Sequence, residues 1–157
     1  MTARSAVHGT FAIERTYDAP PERVFAAWAD PDLKMQWFCC SPDWTVIEFD
    51  LDFRVGGREV NSGAMGDGVV HAFDGRYFDI VPNERIVYGY DMRLGDARIS
   101  VSLTTVTFEP HHGGTKMIFT EHGVYLDGHQ TPEAREKGTQ MGLDNLGPFL
   151  ERSAKTA

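Results

Sequence analysis

From Thr10 to Tyr17, the residues Phe11, Ile13, Arg15 and Tyr17 alternate with Ala12, Glu14 and Thr16. This period of two, with aromatic and β-branched content, predicts a strand. Asp18-Ala19-Pro20-Pro21-Glu22 breaks it and opens a helix, because Pro fits a first helical turn and an early acidic residue suits the positive helix end. Val24, Phe25 and Trp28 give that helix its apolar stripe. Asp30-Pro31 ends it and starts a shorter helix with Leu33, Met35, Trp37 and Phe38. From Trp44 to Val124, apolar segments are punctuated by Gly56-Gly57, Gly66-Asp67-Gly68, Pro82-Asn83-Glu84, Gly95-Asp96 and Gly113-Gly114. Loops this short join antiparallel neighbours, since a parallel crossover needs about a dozen residues or more. The strands expected here run over 46–53, 58–65, 69–81, 85–92, 97–110 and 115–123.

The tail changes period. Thr131-Pro132-Glu133 is a good N-cap and first turn, and Met141, Leu143, Leu146, Phe149 and Leu150 carry a helical pattern to about Arg152. Gly138 and Gly142 share one face of this helix, which implies either close sheet contact or open space beside it. Pro148 removes the bond to the Asp144 carbonyl and predicts a kink in the last turns. The expected fold is therefore α+β, a curved antiparallel sheet of about seven strands around a long C-terminal helix, with two short helices after the first strand.

Length and charge narrow the function. A chain of 157 residues is the size of one domain, 1–157 with a core at about 10–152. A net charge of -8 without a basic cluster argues against nucleic acid or an anionic membrane surface as partner. A hydrophobic content of 41% argues against a disordered polymer, and the chain lacks the apolar run a membrane-spanning helix needs. The start MTARSAVHGT has none of the features of a secretory signal, so a cytoplasmic location is expected. Cys39 and Cys40 are adjacent, where a bridge would force a strained ring, and they read as small apolar residues in a reducing compartment.

Strand alternation nominates the inward faces. Tyr88, Tyr90 and Met92 share one face of a strand, Ser102, Thr104, Val106 and Phe108 one face of the next, and Met117, Phe119 and Glu121 one face of the last. Such rows describe a ligand cavity as well as a packed core. Buried phenols need partners, inside the protein or on a ligand. Glu121 is the leading single residue, because an unpaired inward carboxylate is costly. It either pairs with Arg98, His71 or a tyrosine, or serves a ligand as a polar contact or acid-base group. Glu48 and Glu59 depend on register, since a slip of one residue turns either to solvent.

Among six histidines, His111-His112 falls at a hairpin, His122 has the opposite parity to Glu121, and His71 alone is placed to face the cavity. No metal-ligand spacing, cofactor motif or nucleophile motif is present, and 63–68 reads as a hairpin rather than a phosphate loop. Trp37, Phe38 and Trp44 either cap the core or gate a cavity mouth.

Several ordered motifs carry a family resemblance over about Thr10 to Arg152: Tyr17-Asp18-Ala19-Pro20-Pro21-Glu22-Arg23-Val24-Phe25 with Trp28, Asp30-Pro31 and Trp37; Asp52-Phe53-Arg54-Val55-Gly56-Gly57-Arg58; Gly75-Arg76-Tyr77 through Pro82-Asn83-Glu84-Arg85 to Tyr88; Val106-Thr107-Phe108 with Gly114-Thr115; and Leu143-Asp144-Asn145-Leu146. With these the chain resembles the START-like (Bet v 1-like) helix-grip domains of the SRPBCC superfamily, and within it the family named after the Hsp90 ATPase activator homologue. Members often carry Gly-Trp where this chain has Gly138-Thr139, which implies a differently shaped, roomier cavity.

The resemblance implies a clamp around an apolar cavity, and the fold alone does not choose among carriers, enzymes and co-chaperones. The expected activity is binding of a small hydrophobic or amphipathic molecule, without catalysis or cofactor, by Trp37, His71, Tyr88, Tyr90, Met92, Thr104, Phe119, Glu121 and Met141. The rivals are a cyclase- or hydrolyase-type enzyme using Glu121 or His71, and a protein-interaction domain of co-chaperone or stress-response type. A chaperone partner rests on the family name alone. A homodimer is expected from the open sheet edges and outer face, and a monomeric mass in light scattering would remove it.

Overall fold

The computed structural model describes residues 4–38 and 42–155, so Cys39 and Cys40 lie outside the described residues. Seven strands form one antiparallel sheet: β1 (Ala6–Tyr17), β2 (Thr45–Leu51), β3 (Arg58–Ala64), β4 (Val70–Val81), β5 (Arg85–Leu94), β6 (Ala97–His111) and β7 (Gly114–Leu126). Their order across the sheet is β1-β7-β6-β5-β4-β3-β2. Every consecutive pair from β2 to β7 is a hairpin, as the turn residues predict, and β1 closes against β7. The hairpin turns use the left-handed region where the sequence supplies residues that tolerate it: Asn83 at φ 65° and Gly95 at φ 59°.

Helices α1 (Pro21–Ala29) and α2 (Pro31–Phe38) carry the chain from one sheet edge to the other. Asp30 both ends α1, donating its N–H to the Ala26 carbonyl, and caps α2, accepting from the Asp32 N–H at 2.9 Å. Within α2 the sequence pattern is partly overturned. Met35 is exposed, and the cation Lys34 is buried instead.

The C-terminal helical unit begins at Pro132, with Thr131 Oγ1 accepting from the Ala134 N–H. A two-residue turn at Asp144–Asn145 divides it into α3 (Pro132–Leu143) and α4 (Leu146–Lys155). The kink expected at Pro148 thus falls one turn earlier, and Pro148 occupies the first turn of α4, where its missing N–H costs least. The halves pack differently. Leu146, Phe149 and Leu150 bury α4 in the core, and Arg23 Nη2 donates to the Leu150 carbonyl at 2.8 Å. On α3 only Arg135 and Leu143 are buried, so that half stands away from the sheet. Met141, expected in the apolar stripe, is 62% exposed, because Arg135, Thr139, Gly142 and Leu143 define the inner face and Met141 lies opposite.

Candidate functional site

Between α3 and the concave sheet lies a cavity of about 290 Å³. Its helical wall is built from small residues, Ala134, Gly138, Thr139 and Gly142, and a Cβ placed on either glycine would meet no atom within 4 Å. The two glycines therefore leave space rather than permit close packing. Rings form the opposite wall. Trp28 meets Trp37 edge-on at 4.9 Å, Phe119 stacks on Trp28 at 6.1 Å, and Phe73 stacks on Tyr90 at 4.5 Å. Trp37 is pinned by its indole N–H, which donates to the Ala27 carbonyl at 2.9 Å.

One side of the cavity is polar. Glu121 is 1% exposed and accepts from Thr104 Oγ1 at 2.8 Å and from the Tyr90 hydroxyl at 2.9 and 3.0 Å. Arg135, 5% exposed, donates from Nη1 to the Tyr90 oxygen at 2.8 Å and from Nη2 to Ser100 Oγ at 2.7 Å. Its Nη1 stands 3.8 Å from Glu121 Oε2. Gln130 Oε1 accepts from Arg135 Nε and Nη2, and the guanidinium carbon lies 5.7 and 5.4 Å from the ring centres of Tyr90 and Tyr125. Burial raises the Glu121 carboxyl above its ordinary range, opposed by the Thr104 hydrogen bond, the Arg135 charge and the Tyr90 hydrogen bond. Burial also pushes the Tyr88 and Tyr90 phenols far up, with the Glu121 charge adding to it, so both stay neutral.

Of the residues nominated from sequence, Trp37, Tyr88, Tyr90, Met92, Phe119 and Glu121 line this cavity. Thr104 is fully buried behind Glu121 as its hydrogen-bond donor. His71 is elsewhere, against Trp44 in a neighbouring cavity, and Met141 points to solvent. Glu121 takes a tyrosine as partner, as one expected pairing had it, but its cation is Arg135. Arg98 is engaged on the surface with Asp91 at 2.7 Å. Arg135 escaped the sequence reading because an apolar stripe does not mark a charged residue as inward. The signal was its spacing, eight and four residues before Leu143 and Thr139.

A second buried ion pair lies behind α2. Lys34 Nζ is 2.7 Å from Glu59 Oε1, which also accepts from the Tyr77 hydroxyl, and the ammonium lies 4.7 Å from the Phe38 ring centre. Glu59 is thus inward and Glu48 exposed. His111 and His112 occupy an exposed hairpin, and His122 Nδ1 bonds Thr10 Oγ1 on the outer face. Among the described residues no group of three His, Cys, Asp or Glu is placed to hold a metal, and no helix is long and apolar enough to cross a membrane.

A seven-stranded sheet curved around a C-terminal helical unit is the helix-grip fold. The chain belongs to the family described as Activator of Hsp90 ATPase homolog 1-like protein, which matches residues 18–151. It is similar to a solved protein from Rhizobium leguminosarum, 56% identical over 96% of this chain and 99% of that one, with a TM-score of 0.92. It is similar also to the Mll3558 protein from Rhizobium loti, 41% identical over 92% and 99% of the two chains, with a TM-score of 0.86. An AHSA1-like protein from Aeromonas hydrophila is 26% identical over 93% and 94%, with a TM-score of 0.67. No curated protein matches the chain.

Proposed function

We propose that this chain binds a small, uncharged, largely aromatic molecule in the cavity beneath α3. One observation carries the reading: α3 faces the sheet with a row of small residues that leave space open, and that space is walled by rings and edged by a buried hydrogen-bonding cluster. A filled core would place large apolar side chains where Gly138 and Gly142 stand. Volume near 300 Å³, apolar walls and a few convergent polar groups are what a small-molecule site requires. Glu121 and Arg135 cancel each other's charge, so an ionic ligand would enter with an unpaired charge at high cost. The same cancellation speaks against general acid-base chemistry, because both Glu121 oxygens already accept hydrogen bonds from the protein.

The test is ligand-observed NMR with acetophenone on the wild type and on Thr139→Trp, which places a large side chain in the cavity. Saturation transfer is expected for the wild type and not for the variant. Equal transfer to both proteins, or none to the wild type at millimolar ketone, would sink the reading. Native mass spectrometry of the gently purified protein then seeks a molecule retained from the cell.

A further inference from the structure

The sheet ends in two unlike edges, β2 and β1. β2 has seven residues, and its register with β3 shifts between Val46 and Glu48. Such an irregularity spoils an edge as a template for another strand. β1 has twelve residues and pairs with β7 without a shift. On its other side no strand lies, and Ala6 to Tyr17 make no further backbone hydrogen bond to another element among the described residues. A long, regular strand with a free row of N–H and C=O groups is a ready partner for an extended chain.

Part of that edge runs along a groove of about 500 Å³. Five consecutive residues of β1, Val7 to Phe11, form one wall. Because successive side chains leave opposite faces of a strand, a wall of consecutive residues is the strand's edge. The start of α3 forms the other wall, with Pro132, Glu133 and Glu136. Gly9 sets the distance between the walls: a Cβ there would stand 2.6 Å from Pro132 Cβ, so the absent side chain lets the helix start seat on the strand. No Lys or Arg lines the groove, and neither Glu133 nor Glu136 forms an ion pair among the described residues. Only Gln130 is common to this groove and the cavity beneath α3.

We propose that the groove takes an extended, basic segment of another protein, added beside β1 as a further strand with Lys or Arg side chains toward Glu133 and Glu136. The main-chain ladder gives such a contact its affinity, and the side chains beside it give selectivity. Five residues of strand span about 17 Å, so a segment of five or six residues fills the groove. Spacing decides which of them are basic. Glu133 and Glu136 are three apart on one helix, about 5–6 Å between Cβ atoms, and alternate residues of a strand repeat every ~6.6 Å. Cations at every second position therefore meet both carboxylates, with their alkyl stems over the apolar parts of the groove at Val7 and Pro132. A second copy fits poorly. Antiparallel pairing of Val7 to Phe11 with itself centres on Gly9 and gathers Glu133 and Glu136 of both copies without a cation.

A heptapeptide of alternating lysine and valine, acetylated and amidated, is the probe, followed by two-dimensional amide NMR and hydrogen exchange on the whole chain. The amides from Val7 to Phe11 are expected to shift and to exchange more slowly, with binding that weakens as salt rises from about 0.02 to about 0.5 M. N-methylation of two adjacent central residues keeps every charge and removes a donor that faces β1 in either register. It should weaken binding roughly ten-fold or more. Glu133→Lys combined with Glu136→Lys should lose the lysine peptide and take up the matching glutamate peptide, a gain that a misfolded variant does not show. No shift at millimolar peptide, shifts spread away from β1, indifference to N-methylation, or a reversed variant that still prefers lysine would overturn the assignment. So would sedimentation of the free wild type as a dimer with Val7 to Phe11 protected, which would assign the edge to a second copy. Acetophenone binding beneath α3 is untouched by any of these outcomes.

Discussion

Replacing Gly138 by Ala isolates the claim that the inner face of α3 borders empty space. Gly138 is the seventh residue of a twelve-residue helix, well inside both ends, and a Cβ built on it meets nothing within 4 Å. Steric cost is therefore absent, and what remains is the difference in helix propensity, about 0.8–1 kcal/mol in favour of Ala. Most of that gain comes from the unfolded chain, which has fewer conformations to lose. For a chain of this size it corresponds to a rise in Tm of about 2–4 °C. Urea unfolding followed by circular dichroism, with thermal unfolding beside it, measures both. A methyl group narrows the cavity only slightly, so acetophenone should still bind. Loss of stability by half a kilocalorie or more would show that the space is not open in solution and would refute the reasoning about α3. A gain accompanied by complete loss of binding would show instead that the glycine serves the ligand more closely than its surroundings indicate.

Arg135→Ala leaves a buried carboxylate without its cation and should cost about 3–5 kcal/mol at pH 7.5, less at pH 5 where Glu121 more readily takes up a proton; a loss independent of pH would deny the pairing. Because the folded state raises the Glu121 pKa above its ordinary 4.5, that carboxyl binds protons more tightly when folded, and its contribution to stability is full below about 4.5 and is lost as pH rises through the raised value. The stability of the wild type relative to Glu121→Gln should accordingly fall between pH 4 and pH 7, which urea titrations at four pH values would reveal; a flat or rising difference contradicts the direction. Lys34→Met and Glu59→Leu should each cost about 3–5 kcal/mol, with the double variant losing far less than the sum. Strict additivity in that cycle would mean that the pair is not coupled in solution.

Where turn chemistry and strict alternation coincide, the strands were legible: Arg85 and Ala97 begin β5 and β6 as the flanking Pro82-Asn83-Glu84 and Gly95-Asp96 turns require. Strand ends without such punctuation were not. Ala6 to Gly9 join β1 only because Gly123 to Leu126 lie opposite, a pairing that no local pattern carries. Of the ring wall, Tyr88 and Tyr90 on β5 and Phe119 on β7 were readable from parity, whereas the two buried cations were not. Lys34 and Arg135 stand in helices whose apolar residues carry the inward signal and give none for a cation, and burial there is decided by carboxylates on the sheet, at Glu59 and Glu121. The cavity itself is recorded by what is missing. Gly138 and Gly142 marked the right face of α3, and the choice between close packing and empty space needed the position of the sheet.

The sheet's order also has a meaning for synthesis on the ribosome. β1 emerges first, yet its partner is the last strand, so that Thr10 waits for His122, 112 residues later. At about 5–20 residues per second this strand spends roughly 6–22 s without a neighbour. Its composition suits that wait: Phe11 and Ile13 are the only residues of the strand that end fully buried, while Glu14, Arg15 and the threonines at 10 and 16 break the apolar run. The strand that waits longest for its partner thus carries polar residues that interrupt its apolar run.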